Sequence, residues 1–256
     1  MESFINPVLN APLTFLLAVT FAFTVAGLVK GVVGMGLPTV AIGLLGLVMT
    51  PAQAAAILVI PSLVTNVWQL AAGPRFGVLF KRLWPLLLCA CLGTWSGMAA
   101  FEGINMSWAT IALGVALIAY GLLGLMSVQF SVPPRHERWL GPVIGFTTGV
   151  VTAATGIFTV PGVPYLQALD LNRDDLIQAL GLNFTVATIA LAGGLAHAGV
   201  LKPGVAGFSL IAMITALIGM FIGTWLRTRI SPTVFRRCFF GGLLILGCHL
   251  ALRGLF

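Results

Sequence analysis

The chain has 256 residues, of which 59% are hydrophobic and only 7% charged, with a mean hydropathy of +1.08 and a net charge of +7. Soluble globular domains carry roughly 25% charged residues, so this composition excludes one and calls for a lipid solvent. The apolar runs are long and do not alternate with period two, so the spanning elements are expected to be helices, not barrel strands; the surplus of Lys and Arg falls in loops at one membrane face, without a nucleic-acid partner.

In chain order, the opening MESFINPVLNAP carries Glu2 and no early Lys or Arg, and no cleavable signal peptide is expected. Apolar segments follow at Pro12 to Val29, Val32 to Val48, Ala52 to Ala72, Leu83 to Phe101 and Ser107 to Met126, then at Leu140 to Leu169, Leu176 to His197, Pro203 to Leu226 and Cys238 to Leu252. Most approach the ~20 residues a helix needs to cross ~30 Å of hydrocarbon. Two regions depart from this. Pro12 to Val48 is too long for one crossing and is interrupted over Lys30 to Pro38, and Leu140 to Leu169 is interrupted by Gly156, Pro161, Gly162 and Pro164. Such breaks free backbone groups that a membrane tolerates only where protein or a watery cavity covers them. Cys89, Cys91, Cys238 and Cys248 all fall within apolar segments, as small core hydrophobes, and indicate neither disulfides nor a metal site.

The two interrupted regions correspond. One offset of 122 places Gly27 on Gly149 and Gly34 on Gly156, and GTW recurs at Gly93 to Trp95 and Gly223 to Trp225. The order broken segment, helix, GTW helix, closing helix predicts a duplicated unit, with residues 1–130 as the first membrane repeat, 139–256 as the second, a cytoplasmic linker at 131–138 and no soluble domain. The basic clusters Arg75, Lys81 and Arg82, then Arg135 and Arg138, then Arg227, Arg229, Arg236 and Arg237 all fall inside only if each broken segment is a hairpin or two crossings. The expected fold is therefore an all-α polytopic membrane protein of two inverted repeats, each a Gly/Pro-broken helical hairpin followed by three transmembrane helices. That makes eight long helices plus two hairpins, or about 10 spans if the broken segments cross, with both termini outside.

All six acids map to termini or loops, so no helix interior carries a carboxylate. The polar groups at membrane depth are Lys30, Asn66, Gln69, Gln167, Gln178, Asn183, Thr185, His197 and several Ser and Thr residues. Donors, one fixed cation and helix N-termini suit an anion. Lys30 has two readings: it snorkels to the headgroups, or it lies at a hairpin tip facing a cavity between the repeats. Gly31, Gly34 and Gly36 permit either close helix packing or an unwound backbone that exposes N–H groups; no GxxxxGK[ST] pattern accompanies them. In the second copy Thr152, Thr155, Gly156, Thr159 and Pro161 take the corresponding place, with Thr152 where the first copy has Lys30. Asn66 and Gln69 share one helix face, and Asn183 lies on the equivalent helix; interhelical hydrogen bonding and substrate contact are both open to them. No HExxH motif, carboxylate pair or nucleophile–base spacing supports an enzyme, and a non-transporting assembly subunit is the other alternative.

The stretches GLVKGVVGMGLPTVAIGLLGLVMTPAQAAAILVIPSLVTN and GVVTAATGIFTVPGVPYLQALDLNRDDLIQALGLNFTV resemble the paired glycine-rich motifs of the sulfite exporter TauE/SafE family of membrane permeases, and the resemblance extends over nearly the whole chain. It implies a secondary transporter in the cytoplasmic (inner) membrane for a small sulfur-containing or organic anion such as sulfite, sulfoacetate or a sulfonate. No cofactor and no metal are implied, and the partners are the anion and the bilayer, with a homo-oligomer among the arrangements left open. Typical members carry a GxGGG-like run where this chain has GMGLP and TGIFTVP, which makes Lys30 a candidate specificity feature. The matched positions Gly31, Gly34, Gly36 and Pro38, with Gly156 and Pro161, are implied to be substrate-site backbone. Lys30, Asn66, Gln69, Thr155, Thr159 and Asn183 complete the candidate site.

Overall fold

The computed structural model describes residues 12–103, 106–126 and 130–255, which contain helices and no strand. Eight of the helices have 21 to 25 residues: α1 (Leu13–Val33), α3 (Pro51–Ala71), α4 (Phe76–Ala100), α5 (Met106–Met126), α6 (Pro134–Thr155), α8 (Arg173–His197), α9 (Pro203–Leu226) and α10 (Pro232–Leu255). Two are short, α2 (Leu37–Leu45) and α7 (Gly162–Gln167), and each follows a break. Seven of the long helices are apolar and long enough to cross a membrane; α6 opens instead on the charged run Arg135 to Arg138.

Several helices begin earlier than their apolar segments. α4 starts at Phe76, so Lys81 and Arg82 ride on its first turns, and α10 starts at Pro232 with Arg236 and Arg237 on its own. The linker expected over 131–138 is shorter for the same reason, since residues 134–138 already belong to α6. A helix continues into the headgroup layer wherever its backbone bonds close, while an apolar reading stops at the first charge. Local chemistry marks the true starts. Thr50 and Gln53 form a reciprocal capping box ahead of Pro51, and the Asn172 side chain accepts from the Asp175 N–H, with Asp174 and Asp175 in the positive first turn of α8. Cys89 and Cys91 are half-buried and Cys238 and Cys248 exposed, so the cysteines lie toward the lipid face, outside the core expected for them.

Glycine sets the packing of the main helix pairs. A β-carbon placed on Gly27 or Gly31 would stand 2.1 and 2.2 Å from the carbonyl oxygens of Ala216 and Met220, and one on Gly219 or Gly223 would stand 2.1 Å from those of Thr24 and Leu28. The numbers rise together, so α1 and α9 run parallel in backbone contact. The same geometry joins α4 to α6, with Gly145 on Leu86, Gly149 on Ala90 and Gly93 on Phe146. In a bilayer, where lipid is as apolar as the side chains, such close approach is what lets dispersion hold helices together. Gly93 and Gly219 therefore play matching parts, because their partners Phe146 and Thr24 are related by the offset of 122. The repeated GTW, which pairs Gly93 with Gly223, is one helical turn out of that register.

Two further pairs run antiparallel. Across α3 and α8, Ser62 meets Thr188 while Gln69 meets Ile177, and across α5 and α10, Gly114 meets Ala251 while Gly121 meets Phe240. One end of the bundle gathers the basic clusters. Arg75 reaches Asp175 at 3.1 Å, and Arg82 forks onto Glu137 at 2.8 and 2.6 Å and onto the Leu169 carbonyl at 3.1 Å. Arg227 and Arg236 line a cavity at this end together with Asp170.

Gln178 clasps the α3–α4 turn at this end. Its Nε2 donates to the carbonyls of Leu70 and Gly73 at 2.9 and 2.6 Å, and its Oε1 accepts from the Arg75 N–H at 2.9 Å. Gln178→Ala strands three backbone groups and should cost roughly 3 kcal/mol, whereas Arg75→Ala should cost under about 1 kcal/mol because its side chain is 59% exposed. Thermal unfolding of the two variants in detergent checks the difference; equal shifts would contradict it.

Candidate functional site

Both breaks are built alike. α1 ends at Gly34, with φ 84°, and α6 ends at Gly156, with φ 76°; each glycine donates its N–H back to the carbonyl four residues earlier, Lys30 and Thr152 respectively, at 2.7 Å. A left-handed residue in this place closes a helix and turns the chain aside, and glycine takes it without steric cost. After Gly34, Gly36 caps α2 with Pro38 at its second position, buried. After Gly156 an extended stretch leads through Thr159 and Pro161 into α7. Thr155 supports this break, its Oγ1 accepting from the Ile157 N–H at 3.1 Å. The two breaks touch each other through Thr39 Oγ1 and Thr159 Oγ1, 3.1 Å apart and both fully buried.

Lys30 lies one turn before the first break and is 5% exposed. Its Nζ does not run out to the headgroups. It donates to Thr65 Oγ1 at 3.0 Å and to Asn66 Oδ1, both on α3. From there a polar chain crosses to the other half: Asn66 Nδ2 donates to Ser62 Oγ at 2.9 Å, and Ser62 Oγ lies 3.1 Å from Thr188 Oγ1 on α8. Among the described residues no carboxylate lies within ion-pairing distance of Nζ, the ion pairs being Arg75–Asp175 and Arg82–Glu137. An ammonium at membrane depth costs about 2.5–3.5 kcal/mol even on the lenient scale, and neutral oxygens offset only part of that.

The remaining candidates have distinct surroundings. Gly31 is inside α1 and packs on α9, so its N–H is part of the helix. Gln69 donates to the Ile177 carbonyl at 2.9 Å and ties α3 to α8. Gly34 faces open space, while Gly156 sits against Ile42 and Ala55. Asn183 is buried between α8 and the second break near Gly162 and Thr148, and its Nδ2 has no hydrogen-bond partner among the described residues. A buried amide donor without an acceptor is a costly group that structures seldom keep without use.

A cavity of about 850 Å³ flanks the first break at the basic end, lined by Val32, Val33 and Met35 and by Arg227, Arg236 and Phe239. A cavity of about 130 Å³ flanks the second break at the opposite end, lined by Thr152, Thr155 and Gly156 with Ala55, Phe101 and Trp108. Among the described residues no cluster of His, Cys, Asp and Glu could hold a metal ion. The sequence spacing points to Asn66 but not to Ser62 and Thr65, which complete its face at i, i+3 and i+4, nor to Thr39 and Thr188, and it marks the two arginines of the larger cavity only as loop charges. The Ser62–Thr65–Asn66 spacing was the available signal for the first two.

Seven helices long and apolar enough to cross a membrane, with two helix breaks that meet inside the bundle, define a polytopic membrane protein. The family model of the sulfite exporter TauE/SafE matches residues 19–250, and the chain belongs to that family. The family comprises membrane transporters of sulfite-like anions. Comparison with curated proteins and with solved structures gives no match.

Proposed function

We propose that the protein is a secondary transporter that moves a small organic or sulfur-oxygen anion by alternating access between two inverted halves, residues 1–130 and 139–256. The observation that carries this reading is Lys30, a buried amine beside a helix break with hydroxyl and amide partners and, among the described residues, no carboxylate in reach. A bound anion is the counter-charge such a group lacks. The antiparallel course of α3 against α8, and the matching glycine-capped breaks, support the inverted arrangement. The convergence of the basic clusters supports placing that end in the cytoplasm of the inner membrane.

In this mechanism Arg227 and Arg236, which outnumber Asp170 in the lining of the larger cavity, draw anions into it from the basic end. The anion then reaches the junction of the breaks, where Lys30 supplies charge, and Asn183 Nδ2 and the backbone around Gly34, Gly36, Gly156 and Pro161 supply donors. Thr155 and Thr159 hold the second break in shape, and Gln69 fixes α3 to α8. Anion flux in proteoliposomes tests the reading. Lys30→Ala and Lys30→Gln should each weaken apparent affinity by about 10- to 100-fold, the worth of one charge-assisted contact. Wild-type rates and affinity in both variants would remove Lys30 from the site.

A further inference from the structure

Lys30 poses a question that its role as an anchor leaves open, because among the described residues no carboxylate pairs with it. The protein offers Nζ two acceptors, Thr65 Oγ1 and Asn66 Oδ1. Two is the number of donors on a neutral amine; an ammonium has three. Nor does any neighbouring element supply a charge that would hold the ammonium. Lys30 is the one titratable residue of α1, and α2, α3 and α9, which pack around this end of it, contain none. Among the groups nearby, Arg227, Arg236 and Asp170 line the cavity beside Val32 and Val33, two cations to one carboxylate, with no ion pair from Asp170 to Nζ, and the Tyr120 hydroxyl is spent on Met35 Sδ at 3.6 Å. The rest of α10, which packs on α2, carries Arg237, Cys238, Cys248, His249 and Arg253 and no acid.

We propose that Lys30 carries a coupling proton, so that one proton and one anion travel together. The inference rests on the transporter reading above and adds the coupling ion to it. In the loaded state the amine takes a proton, and its third N–H donates to the bound anion, giving a neutral pair. On release the N–H bond breaks, the proton and the anion leave to the same side, and the amine lone pair remains on Nζ. The empty protein returns with Lys30 neutral and both its donors paired. Neither half of the cycle then moves net charge through the low-dielectric core, which is where an unpaired charge is most costly. Among the described residues the helical acids Glu137, Asp174 and Asp175 all lie in first turns at the basic end, so none stands beside Lys30 as a competing carrier.

The test uses the full-length protein in proteoliposomes loaded with a pH-sensitive dye, with methanesulfonate and sulfoacetate as probes because neither titrates near neutrality. The wild type should move one proton per methanesulfonate and accumulate it about tenfold per unit of pH gradient, the ratio set by one-to-one electroneutral coupling. Lys30→Arg keeps the cation but cannot release its proton. At whatever rate it still exchanges anion, it should show neither the dye signal nor the pH-driven accumulation. Net methanesulfonate uptake by the wild type without proton movement, or wild-type accumulation by Lys30→Arg, would overturn the coupling and leave the transporter reading intact. If neither probe is exchanged under any gradient, the transporter reading fails and the coupling with it. Should the arginine variant not fold, the dye response of the wild type decides the matter alone.

Discussion

Gly27→Ala is expected to lower the unfolding temperature of the purified protein sharply, where the same change at Gly77 or Gly241 is expected to leave it nearly unchanged. A methyl group on Gly27 would lie 2.1 Å from the Ala216 carbonyl oxygen, and two more backbone atoms of that residue stand within 3 Å. No side chain can turn aside to relieve this, so α1 and α9 must separate along their whole contact. Overpacking costs typically about 1–3 kcal/mol where side chains can give way, and a rigid backbone neighbour puts this case at the top of that range or beyond it. Gly149→Ala should behave the same way against Ala90 in the other parallel pair. Nothing lies within 4 Å of the corresponding position on Gly77 or Gly241, which makes them controls for helix propensity. Thermal melts of the four variants in one detergent measure the effect, and similar shifts in all four would mean that the glycine seams do not hold the bundle.

Asn66→Asp is expected to separate stability from activity. The substitution keeps the shape and the acceptor for Lys30, replaces the Asn66 Nδ2 donor with an oxygen to which the Ser62 hydroxyl can donate, and places a carboxylate against Lys30 Nζ in a buried setting. An internal counter-charge satisfies the lysine permanently, so thermal stability should hold or rise. The anion must then compete with a covalently attached carboxylate, and flux should fall by at least about tenfold, equivalent to 1.4 kcal/mol of lost binding. Asn66→Leu should reduce flux as well, but with a loss of about 1.5–3 kcal/mol in stability, since Lys30 Nζ loses an acceptor and Ser62 Oγ a donor. Flux assays beside melting curves check both. Wild-type flux in Asn66→Asp would show that the anion does not engage Lys30.

Much of the fold is legible in the sequence because glycine and proline announce themselves. The breaks at Gly34 and Gly156 could be located, and even paired, because only a few residue types tolerate a left-handed cap inside an apolar run. The starts of α4, α6 and α10 were harder to read, since hydropathy falls at Lys81, Arg135 and Arg236 while the helix itself has already begun. The GTW repeat misled by one turn. Identity of three residues says nothing about which carbonyl a glycine will touch, and the crossing of α4 on α6 is set by Gly93, Gly145 and Gly149 together. Within the site, the polarity of Lys30 and Asn66 was plain from their types. That Nζ turns to α3 instead of to the headgroups was not, because both are within reach of a lysine stem and only tertiary packing decides between them. The orphaned amide of Asn183 and the gathering of Arg227 and Arg236 beside Val32 depend likewise on contacts between distant parts of the chain.

The parallel pairing of α1 with α9 has a consequence for biosynthesis. Gly27 and Ala216 are separated by about 190 residues, which a ribosome adding roughly 5–20 residues per second takes on the order of 10–40 s to make. Throughout that interval the glycine face of α1 is in the bilayer without the helix that fits it. The seam between α4 and α6 closes much sooner, with about 60 residues between Leu86 and Gly145. The nascent protein therefore passes through a half-closed intermediate whose helix α1 waits longest for its neighbour, and that waiting helix is the one that carries Lys30.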